Sequence, residues 1–341
     1  MRSPLIAIAQ VGLVTSVGLS APASCAAIRA KLSNPSQSRF IAGSGEPIMV
    51  HAAALDRPSR GLTRLADMAA MAIQEALIAV PVERWSRVPV LLCLAEVERH
   101  GPPAQGARIM DLVSDRLGQA LQLTGVIKAG RVGFAVAVAQ ARELLHAQSL
   151  DNVLIVSVDS LLAWPVLSRL DRSGRLLTAS NANGFMPGEG AGAILLRRAD
   201  GSANELLCLG VGFGRELAHL ETDAPLRGDG LTTAIKAALS DGDLDMHDVD
   251  FRITDNSGEQ YFFREGVLAL SRTLRQRKES FDIWHPAESI GEVGAASGAV
   301  IFALAKLAYE KAYAVGPTAL VHLSNDRHER AALLLRHTSL T

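Results

Sequence analysis

The segment GFMPGEGAGAILL, residues 184–196, is the most informative part of the sequence about the fold. It begins with a glycine-rich turn that contains one acid, Glu189, and continues as an uninterrupted apolar run. A short apolar run bounded by turn residues is typical of a strand that is buried on both faces. The stretch therefore predicts a central strand over 190–198, entered through a tight turn.

Similar runs occur on both sides of this stretch, and helical spacing separates them. Strand and helix patterns that alternate over this length indicate a layered α/β fold. A polar stretch at 199–204 divides the series, so we predict two domains, residues 1–200 and 201–341. Two irregular segments, 33–60 and 97–125, are predicted to be surface excursions. The predicted strands are 5–14, 89–96, 152–160, 190–198, 206–214, 249–255, 281–285, 318–324 and 331–337, and the predicted helices are 61–80, 134–148, 230–239, 262–276 and 295–312.

The composition excludes several classes of protein. Among 341 residues, 34 are basic and 35 acidic, so the net charge is −1. A neutral chain is a poor candidate for binding nucleic acid or an anionic membrane by charge. Hydrophobic residues make up 48% and charged residues 20%, which allows a large core and excludes general disorder. No stretch is long and apolar enough to predict a transmembrane helix.

The three cysteines carry no metal-binding pattern. Cys25, Cys93 and Cys208 are widely spaced, and no paired Cys or Cys/His motif accompanies them. We expect reduced thiols in a cytoplasmic protein. The apolar residues 5–14 suggest a signal peptide as an alternative, but Gln10 interrupts the run and the following residues read as a strand and turn.

Several segments together resemble the beta-ketoacyl-ACP synthases. Besides 184–196, they are IAQVGLVTSVG (8–18), LADMAAMAIQEAL (65–77), the segment 209–239 and IGEVGAASGA (290–299). The resemblance is collinear and covers most of the chain. It implies the thiolase-like fold, with two βαβαβαββ halves in a five-layered αβαβα arrangement, and a dimer.

The resemblance also implies a catalytic set, and this chain departs from it at each position. The family uses a cysteine nucleophile, two histidines and a lysine for decarboxylative condensation. The position of the cysteine falls within one or two residues of Arg131, and that of the first histidine falls on Ser257. The lysine position becomes Ala287, and the second histidine becomes Glu292.

In contrast, the glycine framework of the family is present. We interpret the chain as a ketosynthase-like protein without condensing activity, acting as a scaffold, adaptor or partner subunit. Alternatives are a chain-length-factor-like subunit that pairs with an active ketosynthase, an adaptor for a protein client, and a residual acyltransferase. The predicted partners are a second copy or a ketosynthase-like chain, and a protein client or an acyl carrier protein are further candidates. The framework residues are Gly188, Glu189, Gly190, Gly192, Gly291 and Gly294.

Three further patterns have simpler interpretations. His219 and Asp223 match an HxxxD acyltransferase motif without wider support, and we interpret them as loop residues. GVGFG (210–214) lacks the acidic partner of a dinucleotide site and is interpreted as a glycine turn. Ser297 does not fit a nucleophile motif and is expected to pack against a helix. We predict no cofactor and no metal.

Two expectations concern shape. The sheet edge and the segment 122–134 are predicted to form the dimer contact. We also expect Arg131 to pair with Glu292, because a buried unpaired charge is costly. Together with Phe134, Arg327 and His328, this pair is expected to narrow or plug the former active-site pocket.

Overall fold

The computed structural model describes residues 4–99, 105–148 and 150–338. The strands are β1 (Ile6–Val14), β2 (Ser36–Ile41), β3 (Pro47–Val50), β4 (Pro89–Leu94), β5 (Gln122–Lys128), β6 (Asn152–Ser160), β7 (Glu189–Arg198), β8 (Leu206–Arg215), β9 (Phe251–Thr254), β10 (Ile283–Trp284), β11 (Thr318–Ser324) and β12 (Glu329–His337). The helices are α1 (Ala21–Arg29), α2 (Gly61–Ala76), α3 (Gly106–Leu117), α4 (Gly133–Ala147), α5 (Trp164–Arg172), α6 (Asp229–Gly242), α7 (Gln260–Thr273), α8 (Ala287–Ile290) and α9 (Ser297–Glu310).

Ten of these strands form one continuous sheet with a repeated order. The order is β10-β9-β11-β12-β8-β1-β7-β6-β4-β5. Read outward from the centre, β1-β7-β6-β4-β5 and β8-β12-β11-β9-β10 share one topology, and β1 pairs antiparallel with β8 at the junction. The predicted division into two domains at residue 200 remains a prediction.

Helices cover the sheet in layers. One core cluster contains α4 and α9 together with inward side chains of both parts of the sheet, such as Ile155 and Val321. A second cluster joins α2 and α3 to the outer face of the first part, and a third joins α6 to the outer face of the second. This is the thiolase-like αβαβα arrangement that the sequence predicts.

The central helix α9 is buried because its sequence is apolar on most of its faces. In α9, eleven of fourteen residues are buried, and small residues let the helices approach closely. At Gly298, an added Cβ would lie 2.5 Å from the Cβ of Phe134 on α4. A side chain at this position would therefore force the two helices apart.

The predicted strand boundaries are close to those observed, and the irregular segments are where the sequence interpretation is wrong. Segment 97–125, of which 100–104 lie outside the described residues, contains α3 and the start of β5 rather than only excursions. Segment 33–60 contains the β2–β3 hairpin. The helices α1 and α5 were not predicted, because proline within the first turn hides their helical spacing.

None of the helices among the described residues is long and apolar enough to cross a membrane. The three cysteines are free and buried.

Candidate functional site

Arg131 lies in a single 3₁₀ turn, Gly130–Val132, directly before α4. This turn follows β5 and sits where the sheet meets the central helix layer. Gly130 has a positive φ of 54°, and a Cβ there would collide with the carboxylate of Glu96. The glycine therefore allows the chain to turn sharply and directs a guanidinium into the protein.

Arg131 is surrounded by carboxylates. Its Nη1 is 3.1 Å from Oε2 of Glu292, its Nη2 is 2.8 Å from Oδ1 of Asp326, and its Nε is 3.7 Å from Oδ2 of Asp255. The guanidinium also lies 4.7 Å from the ring centre of Phe262. The expected pairing of Arg131 with Glu292 is therefore present, with two further acids beside it.

A second arginine shares one of these acids. Arg175 forms bidentate contacts with Asp326, at 2.6 and 3.0 Å, and with Glu259, at 2.8 and 2.7 Å. Asp326 thus bridges Arg131 and Arg175. Bidentate arginine–carboxylate pairs fix the geometry as well as the charge.

A third arginine completes the cluster on the other side. Arg99 makes a bidentate pair with Asp159, which is the penultimate residue of β6 and lies opposite Gly190 of β7. The second oxygen of this carboxylate, Oδ2, also accepts a hydrogen bond of 2.9 Å from the amide of Ala295. Arg99 is thereby tied to the start of α9.

The amides before both central helices are satisfied by side chains. The amide of Val132 donates to Oδ1 of Asn325 at 3.2 Å, and the amide of Gly294 donates to Oε1 of Glu292 at 2.8 Å. Such amides are otherwise free to bind an anion at a helix start. Here the protein's own amide and carboxylate groups occupy them.

The acids and arginines of the cluster shift one another's pKa values. Burial alone would lower the pKa of Arg131, but Glu292, Asp255 and Asp326 more than reverse this and raise it. Burial raises the pKa of Asp255 to about 7, against the lowering effect of Arg131. Burial also raises the pKa of Glu96. The carboxylates therefore keep Arg131 charged, while burial makes Asp255 and Glu96 easier to protonate than an exposed carboxylate.

The other predicted positions lie outside this cluster. Ser257 follows β9, and its buried hydroxyl has no hydrogen-bond partner among the described residues. Ala287 begins α8 and lines a void of about 10 Å³ beside Asp255. The structure brings Asp255, rather than Ser257, to Arg131.

Glu189 and the glycines of the family framework pack around the site and fix the backbone next to it. Glu189 is fully buried and accepts hydrogen bonds from Arg64 and from the amide of Ala53 at 3.0 Å. Gly294 has a positive φ of 55°, and a Cβ there would lie 2.1 Å from Oδ2 of Asp159. The remaining glycines lie at the start of β7 and around Glu292, and they are Gly188, Gly190, Gly192 and Gly291.

Sequence reasoning missed most of the charged partners. Asp159 and Asp255 stand at or just after the end of buried apolar strands, which is the signal that could have identified them. Arg99, Arg175 and Glu259 lie in segments without regular patterning, and nothing in their local sequence marks them.

The expectation of a plugged pocket is wrong. A cavity of about 470 Å³ lies over the cluster, and Arg131, Glu292 and Asp326 line it. Phe134 does not line this cavity, because its ring is fully buried against that of Phe302, with 4.6 Å between the ring centroids. The charges form one wall of the cavity but do not fill it.

A larger, more apolar cavity of about 830 Å³ adjoins the first. The two share wall residues in the segment after β4, including Glu96 and Val97. Phe40, Leu65 and Trp164 contribute apolar surface to the larger one. An acyl-sized space therefore lies beside the arginine cluster.

The remaining sequence patterns behave as ordinary structure. His219 packs edge-on against His328, 4.4 Å between centroids, and its Nδ1 accepts a hydrogen bond from the amide of Glu221. GVGFG lies within β8 rather than in a turn, which corrects the earlier interpretation. Ser297 is the buried first residue of α9. Among the described residues, no group of three or more His, Cys, Asp or Glu is arranged to hold a metal ion.

Comparison with known proteins agrees with this architecture. Residues 101–201 match the family model "Beta-ketoacyl synthase, N-terminal domain". A sequence search of curated proteins gives no match.

Solved structures resemble the chain over its whole length. One is a type II PKS acyl-carrier protein in complex with its ketosynthase (AntDE:AntF), with a TM-score of 0.82 and 16% identity, covering 99% of this chain and 100% of the other. The ishigamide ketosynthase/chain length factor gives 0.81 and 16%, covering 100% of both. A ketosynthase with its chain length factor from Xenorhabdus doucetiae gives 0.78 and 12%, covering 98% of both. The chain thus has the thiolase-like fold of ketosynthases, and its residues 101–201 match their N-terminal domain.

Proposed function

We propose that this chain is a non-condensing, ketosynthase-like subunit that pairs with a ketosynthase-like chain, in the manner of a chain length factor. One observation carries the proposal. In the turn before α4, near the position where the resemblance implies a nucleophile, the chain has Arg131, which is buried and forms ion pairs with the buried Glu292 and with Asp326.

The chemistry of the cluster supports the absence of condensation. A guanidinium is permanently charged and is not a nucleophile. Burial raises the pKa of Cys93 to about 12, so its thiol stays protonated and unreactive. The amide of Val132, which could otherwise stabilise an oxyanion, donates to Asn325.

The sheet edge supports pairing with another chain. β5 is the last strand of the ten-stranded sheet, and alternate residues along it are exposed. An uncovered edge strand offers unpaired backbone groups to a second chain. The apolar cavity of about 830 Å³ is lined in part by Lys128, the last residue of this strand, so the cavity lies next to one end of the edge strand.

The pairing is tested by co-expression with a ketosynthase-like chain encoded in the same host. We expect a complex of one copy of each chain by light scattering and native mass spectrometry. Thr124→Pro is expected to weaken this complex, because proline removes a backbone N–H from the edge strand. Thr124 lies where the register between β4 and β5 shifts and has no residue opposite it on β4, so the substitution is expected to spare the pairing of β5 with β4. Thr124→Ser is the matched control.

The absence of condensation is tested separately. The purified chain is incubated with acyl and malonyl carrier proteins, and its intact mass is measured. We expect no acyl adduct and no product above the background without enzyme. A stable acyl adduct would contradict the proposal. Purification of the chain from its native host together with a client protein unrelated to acyl carriers, and without a ketosynthase-like chain, would also contradict it.

A further inference from the structure

Asp326 differs from the other acids of the arginine cluster in its exposure. Its side chain is 44% exposed, whereas those of Glu292 and Glu259 are 6% and 8% exposed. It also lies in the turn between β11 and β12, while Glu292 is fixed by backbone pairing with Pro187. Asp326 is therefore the carboxylate of the cluster that solvent reaches most easily.

The two arginines that bind Asp326 form a fork around its carboxylate. Arg175 contacts both oxygens, at 2.6 and 3.0 Å, and Arg131 contacts Oδ1 at 2.8 Å. Their orientation does not depend on Asp326 alone, because Glu259 holds Arg175 and Glu292 holds Arg131. The two arginines are thus held in place by buried acids, independently of Asp326.

The electrostatic environment at this point favours an anion. Burial would raise the pKa of Asp326, but Arg131 and Arg175 outweigh burial and lower it well below its usual range. The cavity of about 470 Å³ opens onto the same point, and Leu161, Val166 and Phe185 form part of its wall. A carboxylate with a short apolar body matches both the charge and the wall.

We propose that Arg131 and Arg175 form a binding site for an organic carboxylate and that Asp326 occupies this site as a tethered, internal competitor. A ligand carboxylate takes the place of the Asp326 side chain, which then rotates into the adjoining cavity of about 470 Å³. No bond is made or broken. Because a tethered group acts at a high effective concentration, the site in the unaltered chain is largely closed to weak ligands.

The backbone of the turn does not have to move for this exchange. Arg330 is fully buried, pairs with Glu265, and donates to the carbonyl oxygens of Asn325 and Glu329 at 2.8 and 2.9 Å. These contacts hold the turn while leaving the Asp326 side chain free to rotate.

The test is calorimetric titration of the full-length chain with butyrate, acetate and inorganic phosphate at constant ionic strength. We expect Asp326→Ala to bind butyrate about tenfold more tightly than the unaltered chain, which corresponds to about 1.4 kcal/mol. Butyrate is expected to bind more tightly than acetate, because its tail contacts the apolar wall. Phosphate is expected to bind more weakly than butyrate, because it has no apolar body to contact that wall.

Two further variants separate the site from general charge effects. Glu221→Gln removes an acid from the same cavity that pairs with Arg169 and Arg327 instead, and it is expected to leave butyrate affinity unchanged. Arg175→Lys in the Asp326→Ala background removes the bidentate fork and is expected to abolish the gain. Asp326→Asn keeps the size of the side chain and replaces Asp326→Ala if that variant does not fold.

The proposal is overturned if removing the Asp326 charge leaves butyrate affinity unchanged, or if Glu221→Gln has the same effect. It is also overturned if the gain survives Arg175→Lys. The unaltered chain gives an independent readout, since the ¹³Cγ resonance of Asp326 must move as butyrate binds. A bound ligand with an unmoved Asp326 resonance contradicts the exchange. Each of these readouts is independent of pairing with a second chain.

Discussion

At the scale of single residues, Arg131 controls the charge balance of the site. Its guanidinium faces Glu292 and Asp255, whose side chains are 6% and 1% exposed. Removing one partner from a buried pair leaves an uncompensated charge, which is far more costly than losing an exposed pair. The role of Arg131 in stability is therefore measurable apart from any function.

We predict that Arg131→Met lowers the free energy of unfolding by about 3–5 kcal/mol, as measured by urea denaturation. Arg116→Met is the matched control, because Arg116 pairs with Asp67 at the surface and its loss is expected to cost about 0–1 kcal/mol. Equal effects of the two substitutions would show that the buried pairs around Arg131 contribute no special stability.

At the scale of elements, the contact between α4 and α9 depends on one missing side chain. A Cβ at Gly298 would lie 2.5 Å from both Cβ and Cγ of Phe134, which belong to a rigid part of that side chain. Overpacking of this kind displaces neighbouring groups, since protein interiors are already closely packed.

We predict that Gly298→Ala destabilises the protein by about 1–3 kcal/mol. Gly133→Ala is the matched control on α4, where the backbone is helical and a new Cβ would meet its nearest neighbour at 3.4 Å. This control is expected to be neutral or slightly stabilising, because alanine has the higher helix propensity. Thermal denaturation of both variants checks the difference, and a destabilised Gly133→Ala with an unaffected Gly298→Ala would contradict it.

At the scale of the whole molecule, buried histidines make stability depend on pH. Burial lowers the pKa of His51 to about 4 and that of His322 to about 3. Below about pH 6.5 the unfolded chain binds protons at these residues while the folded chain does not, so stability is complete above that pH and falls as the solution becomes more acidic. Asp255 acts in the opposite direction, because its raised pKa favours the folded state on acidification.

We predict that replacing His322 with glutamine removes up to about 1.4 kcal/mol per pH unit from the slope of unfolding free energy between pH 6.5 and pH 4. Urea titrations at a series of pH values measure the slope. His247→Gln is the matched control, because His247 lies in a surface 3₁₀ turn and its replacement is expected to leave the slope unchanged. An unchanged slope in the His322 variant would mean that this histidine is protonated in the folded protein.

Several parts of the fold could be predicted because they follow from local chemistry. Residues 152–160 and 318–324 form the predicted strands with the predicted ends, since each is a continuous apolar run bounded by polar or turn residues. The helix α3 could not be predicted, because its burial depends on packing against α2, which is distant in the chain. The spacing of apolar residues in a segment predicts its burial only when that burial does not depend on a distant element of the chain.

The layered α/β architecture, the glycine framework and the position of Arg131 before α4 follow from the order of residues along the chain. The acids that surround this arginine depend on tertiary packing, because Asp255, Glu292 and Asp326 come from three segments that meet through the repeated order of the sheet. Tertiary packing also decides that the cavity stays open, since Phe134 packs into the central helix layer instead of pointing toward the pocket. The physical reason is that spacing along the chain fixes periodic burial, whereas the meeting of charges and the volume left between them depend on how distant elements pack.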